Sequence, residues 1–161
     1  MIIKIVYTLF LALLVALFVG LGIDAFYPGP ASPEYPVELN KIGPVEEETA
    51  EEKRIQEEIR GEYDQKQKEY QKQEKTYNRN VSILSLGIAI LILILSLAFL
   101  GKIKMMADGI LLGGVFTTAY SIIRGLMSDD SRFRFAIVTA GLLIALVLGY
   151  IKFIRPKEKT E

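Results

Sequence analysis

Four stretches of this chain run for fifteen or more residues without a charged side chain: Ile5 to Ile23, Val81 to Leu100, Gly109 to Ile123 and Ala136 to Ile151. A helix needs roughly 20 apolar residues to cross about 30 Å of hydrocarbon. With short flanks, three of the four reach that length. The third reaches it by extending through Arg124 to Met127, with the Arg124 guanidinium snorkelling towards the headgroups. The expected fold is therefore an all-α integral membrane protein. It has four transmembrane helices and a long charged extramembrane helix between spans 1 and 2.

The expected order is a first span over 1–25 and a Pro- and aromatic-rich interfacial segment over 26–44. A charged helix over 45–80, a second span over 81–101 and a short basic loop over 102–108 follow. The remainder is a third span over 109–127, a loop over 128–134, a fourth span over 135–154 and a basic tail over 155–161. The first span is read as retained. Its apolar run exceeds the roughly 7 to 15 residues of a signal-peptide core, and Ile23-Asp24-Ala25 is a poor cleavage site.

Basic residues near span ends set orientation. Lys4 precedes the first span, Lys102 and Lys104 sit in the second short loop, and Lys152, Arg155, Lys157 and Lys159 follow the fourth run. These three places share one face of a four-span protein. They predict cytoplasmic termini in a multi-pass protein of the plasma or inner membrane, with the 24–80 loop external. That loop carries nine basic residues of its own, and Arg124, Arg132 and Arg134 fall on its side. Loops near 60 residues translocate with less regard to charge, so the first span dominates the reading.

Five of the six prolines lie between Phe26 and Pro44. Pro28 forbids continuation of the first helix, since proline lacks an N–H and fixes φ. Phe26, Tyr27 and Tyr35 are amphipathic rings suited to headgroup level. This segment reads as a helix stop followed by a stiff interfacial strap. From Pro44 to Asn80 the composition turns to Glu, Lys, Gln and Arg, which form helices well. Acidic residues lead and basic ones trail, as the helix dipole favours. Tyr63, Tyr70 and Tyr77 recur every seven residues, with Ile55 and Ile59 upstream. The companion heptad seam is mostly polar, so the pattern falls short of the two apolar seams of a full coiled coil. It marks a candidate docking face for a protein partner or a second copy.

Inside the third run Gly109, Gly113, Thr117, Ser121 and Gly125 are each four apart, and Gly141, Ala145 and Gly149 repeat that spacing in the fourth. Small residues let helices approach closely in lipid. The expectation is a packed hairpin of spans 3 and 4, with the row of the third lining one face from end to end and closing either on the same chain or on a second copy. Asp108 is expected to cap the third helix and Asp129 with Asp130 the fourth.

Chemistry is thinly represented. The chain contains no histidine and no cysteine, which excludes imidazole bases, thiolate nucleophiles and disulfides. No cofactor, metal site or catalytic residue is expected, and no enzyme activity. The 24–80 loop holds fourteen acidic against nine basic residues, so it does not suit nucleic acid. No Asp, Glu, Lys or Arg sits at a span centre, where ion pathways commonly place one.

The order of apolar span, charged helical segment and further spans resembles that of Oxa/YidC-type insertases. Those proteins keep the charged segment cytoplasmic and an arginine or polar groove within the bilayer. Here the expected orientation is the reverse and Arg124 lies at a span end, so no residue role transfers. Small phage lysis proteins that oligomerise into membrane lesions resemble the chain in architecture alone. The leading expectation is a non-enzymatic scaffold or accessory subunit, with the lipid bilayer and a protein as partners. The alternative is an oligomeric pore, holin-like or transporter component.

Overall fold

The computed structural model describes residues 2–37, 50–99 and 103–154. The strap beyond Val37, the Pro44-led helix start, the Lys102 turn and the basic tail from Arg155 lie outside the described residues. Among the described residues the chain is helical without strands: α1 (Ile2–Phe26), α2 (Ala50–Phe99), α3 (Lys104–Leu126) and α4 (Ser131–Gly149). A π-helical turn, Tyr150–Ile154, follows α4. Four of these helices are long and apolar enough to cross a membrane. By contact the chain divides into two compact units, Met1–Pro28 with Asn78–Glu161, and Gly29–Tyr77.

The helix boundaries follow local chemistry. Helix α1 stops at Phe26 because Tyr27 precedes Pro28, and a residue before proline is driven out of the helical region. The Tyr27 N–H makes a last bond to the Ile23 carbonyl at 2.7 Å. Asp130 caps α4, its carboxylate accepting from the Arg132 backbone N–H at 2.8 Å.

The charged segment runs unbroken into the second span as the single 50-residue helix α2, as the absence of proline between Val45 and Arg155 allows. Two expectations change here. The apolar half of α2 makes the whole element a candidate span, so "charged helix" describes only the part before Asn78. The loop expected over 102–108 is largely the first turns of α3, which starts at Lys104. Asp108 is consequently not a cap. Ile103 holds that position without any side-chain bond, and Asp108 pairs with Lys152 of the π turn.

The larger unit is inverted relative to a water-soluble bundle. Its fully buried side chains are no larger than valine, and the largest are mostly hydroxylated: Val81, Ser82, Ser85, Ser96, Thr117, Ser121 and Ser128. Its large apolar side chains point outward, with Phe18 80%, Leu91 62% and Phe135 76% exposed. Continuous apolar surface of this kind is rare on soluble monomers. Helix α3 is the hub, packing on α1 and α4 and exchanging hydrogen bonds with α2.

Candidate functional site

The small residues of α3 decide how closely its neighbours approach. A methyl carbon added at Gly109 would lie 2.7 Å from Leu11 Cδ2. At Gly113 it would meet Val15 Cβ at 2.7 Å and the Ala12 carbonyl oxygen at 3.3 Å, both on α1. At Gly125 it would meet Ser82 Oγ at 2.7 Å and Ile137 Cγ2 at 2.8 Å, on α2 and α4. The row therefore does not line one face.

Geometry explains the drift. At 3.6 residues per turn each residue advances about 100°, so a step of four overshoots a turn by about 40°. Four such steps carry Gly109 to Gly125 through about 160°. The row begins under α1, passes α2 at Ser121 and ends between α2 and α4. Thr117 is buried as well and donates back to the Gly113 carbonyl at 2.9 Å.

The row of the fourth helix fares differently. Gly141 faces α3, where an added methyl would approach Ile122 Cδ1 at 2.5 Å. Ala145 is exposed, and nothing stands within 4 Å of a methyl placed at Gly149. The stripe of α4 that turns inward is Ile137, Gly141, Ile144 and Leu148, and four residues on the exposed Lys152 of the π turn meets Asp108 of α3. This spacing of four, three, four and four keeps pace with the helical turn. Helices α3 and α4 do pack together, but through Gly125 against Ile137 and Gly141 against Ile122 rather than through two continuous small-residue rows.

Sequence reasoning passed over the polar bonds that join α2 to α3. The Ser82 hydroxyl donates to the Ser121 carbonyl at 2.8 Å, and the Ser121 hydroxyl donates to the Ser82 carbonyl at 2.7 Å. Fourteen residues further along α2, the Ser96 hydroxyl donates to the Ala107 carbonyl at 2.7 Å, fourteen residues back along α3. The two clasps thus hold an antiparallel pair in one register, about 21 Å apart along the helix. Gly114 lies between them; an added methyl there would meet Leu93 Cδ2 at 2.6 Å. The signal was available: Ser82, Ser85, Ala89 and Ser96 form a small-residue stripe on one side of the second run.

Arg124 does not simply reach outward. Its Nη1 donates to Asn78 Oδ1 at 2.8 Å and its Nε to the Tyr120 hydroxyl at 3.1 Å, with the guanidinium 5.4 Å from the Tyr120 ring centroid. Nearby on the same helix, Asn80 donates to the Tyr27 hydroxyl at 3.1 Å. Arg134 donates to the Ser128 carbonyl from Nε at 2.7 Å and from Nη2. Of the residues expected at headgroup level, Phe26 is 92% exposed, and Tyr27, Pro28 and Tyr35 are exposed as well.

The smaller unit answers the question of the tyrosine stripe. Tyr35 meets Tyr63 edge-on, with centroids 5.4 Å apart, and Gly29 lies against the Tyr77 ring. Gly29 to Tyr35 is six steps of irregular chain, about 19 Å if extended at about 3.1 Å per residue. Tyr63 to Tyr77 is fourteen helical steps, about 21 Å. The strap therefore matches the Tyr63-to-Tyr77 part of the stripe in length and meets both ends of that part. Tyr70, midway, is half-buried, Ile59 is half-buried, and Ile55 remains exposed. Tyr63 and Tyr77 thus meet the chain's own strap, while Ile55 stays exposed.

Among the described residues no group of three His, Cys, Asp or Glu side chains could hold a metal ion. Comparison with protein-family models, with curated proteins and with solved structures returns no match.

Proposed function

We propose that the chain is a non-enzymatic membrane scaffold or accessory subunit of the plasma or inner membrane, its four apolar helices crossing the bilayer with both termini cytoplasmic. The carrying observation is the inverted bundle: small and hydroxylated residues inside, large apolar side chains outside. In lipid, hydrogen bonds and close backbone contact hold helices together without a hydrophobic drive between them. The accessory reading rests on α2, whose single helix joins an apolar span to a charged segment ending near the exposed Ile55. A protein partner, or a second copy, would then meet the segment around Ile55 and Ile59.

Proximity labelling from Glu51, with and without Ile55→Ser and Ile59→Ser, tests this. A neighbour list that shrinks on substitution supports it; an unchanged list overturns it. The competing reading, an oligomeric pore, predicts solute flux from purified protein in liposomes, and a scaffold predicts none. Impermeant thiol labelling of Ser32→Cys from outside, with Thr160→Cys protected, checks the orientation in a chain that has no cysteine of its own.

A further inference from the structure

One groove of the larger unit has a composition that the packing argument does not use. It lies between α1 and α3, encloses about 670 Å³, and is lined by Lys4, Ile5, Thr8, Leu9, Lys104, Met105, Asp108 and Leu112. That volume is within the roughly 300–1,000 Å³ of small-molecule sites. The polar residues gather towards the starts of the two helices, and the walls deeper in are Leu9 and Leu112. Asp108 is already matched by Lys152. Lys4 and Lys104 are exposed, with no hydrogen bond or ion pair among the described residues. The mouth therefore carries two unmatched lysines beside an aspartate that is already paired, above an apolar trough.

We propose that this groove binds an anionic phospholipid, with the headgroup phosphate at Lys4 and Lys104 and one acyl chain along Ile5, Leu9 and Leu112. Charge complementarity selects the headgroup. Two unmatched ammonium groups favour a lipid with net negative charge over a zwitterionic one, whose own cation they would repel. The apolar walls select a lipid over a free anion, because inorganic phosphate would leave Leu9 and Leu112 uncovered. Basic pockets between membrane helices are a recurring way to hold such headgroups. The site also gives a use to the Asp108–Lys152 pair, which neutralises the one carboxylate that would repel a phosphate. This inference rests on the membrane reading above.

The test is native mass spectrometry of the full chain released from mild detergent containing equal phosphatidylglycerol and phosphatidylcholine. The expected result is retention of phosphatidylglycerol about thirtyfold over phosphatidylcholine, the factor that two basic residues at about 1 kcal/mol each would give. Lys4→Gln with Lys104→Gln should bring the ratio to about one, and Lys4→Arg with Lys104→Arg should keep it. Lys53→Gln with Arg60→Gln, which removes equal charge from the exposed part of α2, should leave it unchanged. Equal retention of both lipids, no retained lipid, or the same loss from the Lys53 and Arg60 variant each overturns the proposal. Displacement of the lipid by millimolar inorganic phosphate would also overturn it, in favour of a plain anion site. Carbonate extraction of the membranes before any detergent is added separates the two readings: protein in the supernatant removes the membrane assignment, whereas pelleted protein without lipid preference removes only this one.

Discussion

Helices α3 and α4 carry the same spacing of small residues, yet only α3 converts most of its row into contacts. Gly109, Gly113, Thr117, Ser121 and Gly125 are all buried, while of Gly141, Ala145 and Gly149 only Gly141 is. The difference lies in the number of neighbours. A row stepping by four winds around its helix, so it stays in contact only where other helices wait on successive sides. Helix α3 has α1, α2 and α4 around it; α4 has α3 on one side and open surface elsewhere. Spacing of this kind reports helix packing only in combination with the number of partners.

The largest effect that would sharpen this contrast is at Gly113. Gly113→Leu should cost about 3 kcal/mol or more, because the obstacles are Val15 Cβ and a backbone oxygen, which cannot swing aside. Steric-trap or SDS unfolding in detergent would measure it, and a loss below about 1 kcal/mol would break the account of α3 as the hub. At the serine clasp, Ser82→Ala and Ser121→Ala should each cost about 0.6 kcal/mol, and at most about 1.7, because each removes one hydroxyl-to-carbonyl bond and leaves the other in place. No loss from either variant in the same unfolding assay would mean that the clasp does not hold α2 to α3. The smallest effect is expected at Gly149→Leu, within about 0.5 kcal/mol, as at surface sites. A large loss there would restore the fourth-helix row as a seam.

The strap and the tyrosine stripe show a second limit of reading by pattern. A heptad of tyrosines looks like a face waiting for another helix. In the folded unit its ends are met by Tyr35 and Gly29 from the proline-rich segment some thirty to fifty residues earlier in the chain. Periodicity identifies a sticky stripe but carries no information on what covers it. The same holds for Arg124, whose place near the end of the third run was plain, while its partner Asn78 is forty-six positions away.

What could be read from the chain alone were the properties that depend on neighbours in sequence. Uncharged runs of sufficient length meant four apolar helices, because the free energy of placing a charge in hydrocarbon acts residue by residue. Pro28 meant the end of α1, because a missing N–H and a fixed φ are local facts. Only the tertiary structure decided which helix each small residue meets, that α2 and α3 lock in register through two serine clasps, and that Lys4 and Lys104 line one groove. Those outcomes depend on angles accumulated around a helix and on contacts between distant segments, and a single step of 40° per turn is enough to redirect them.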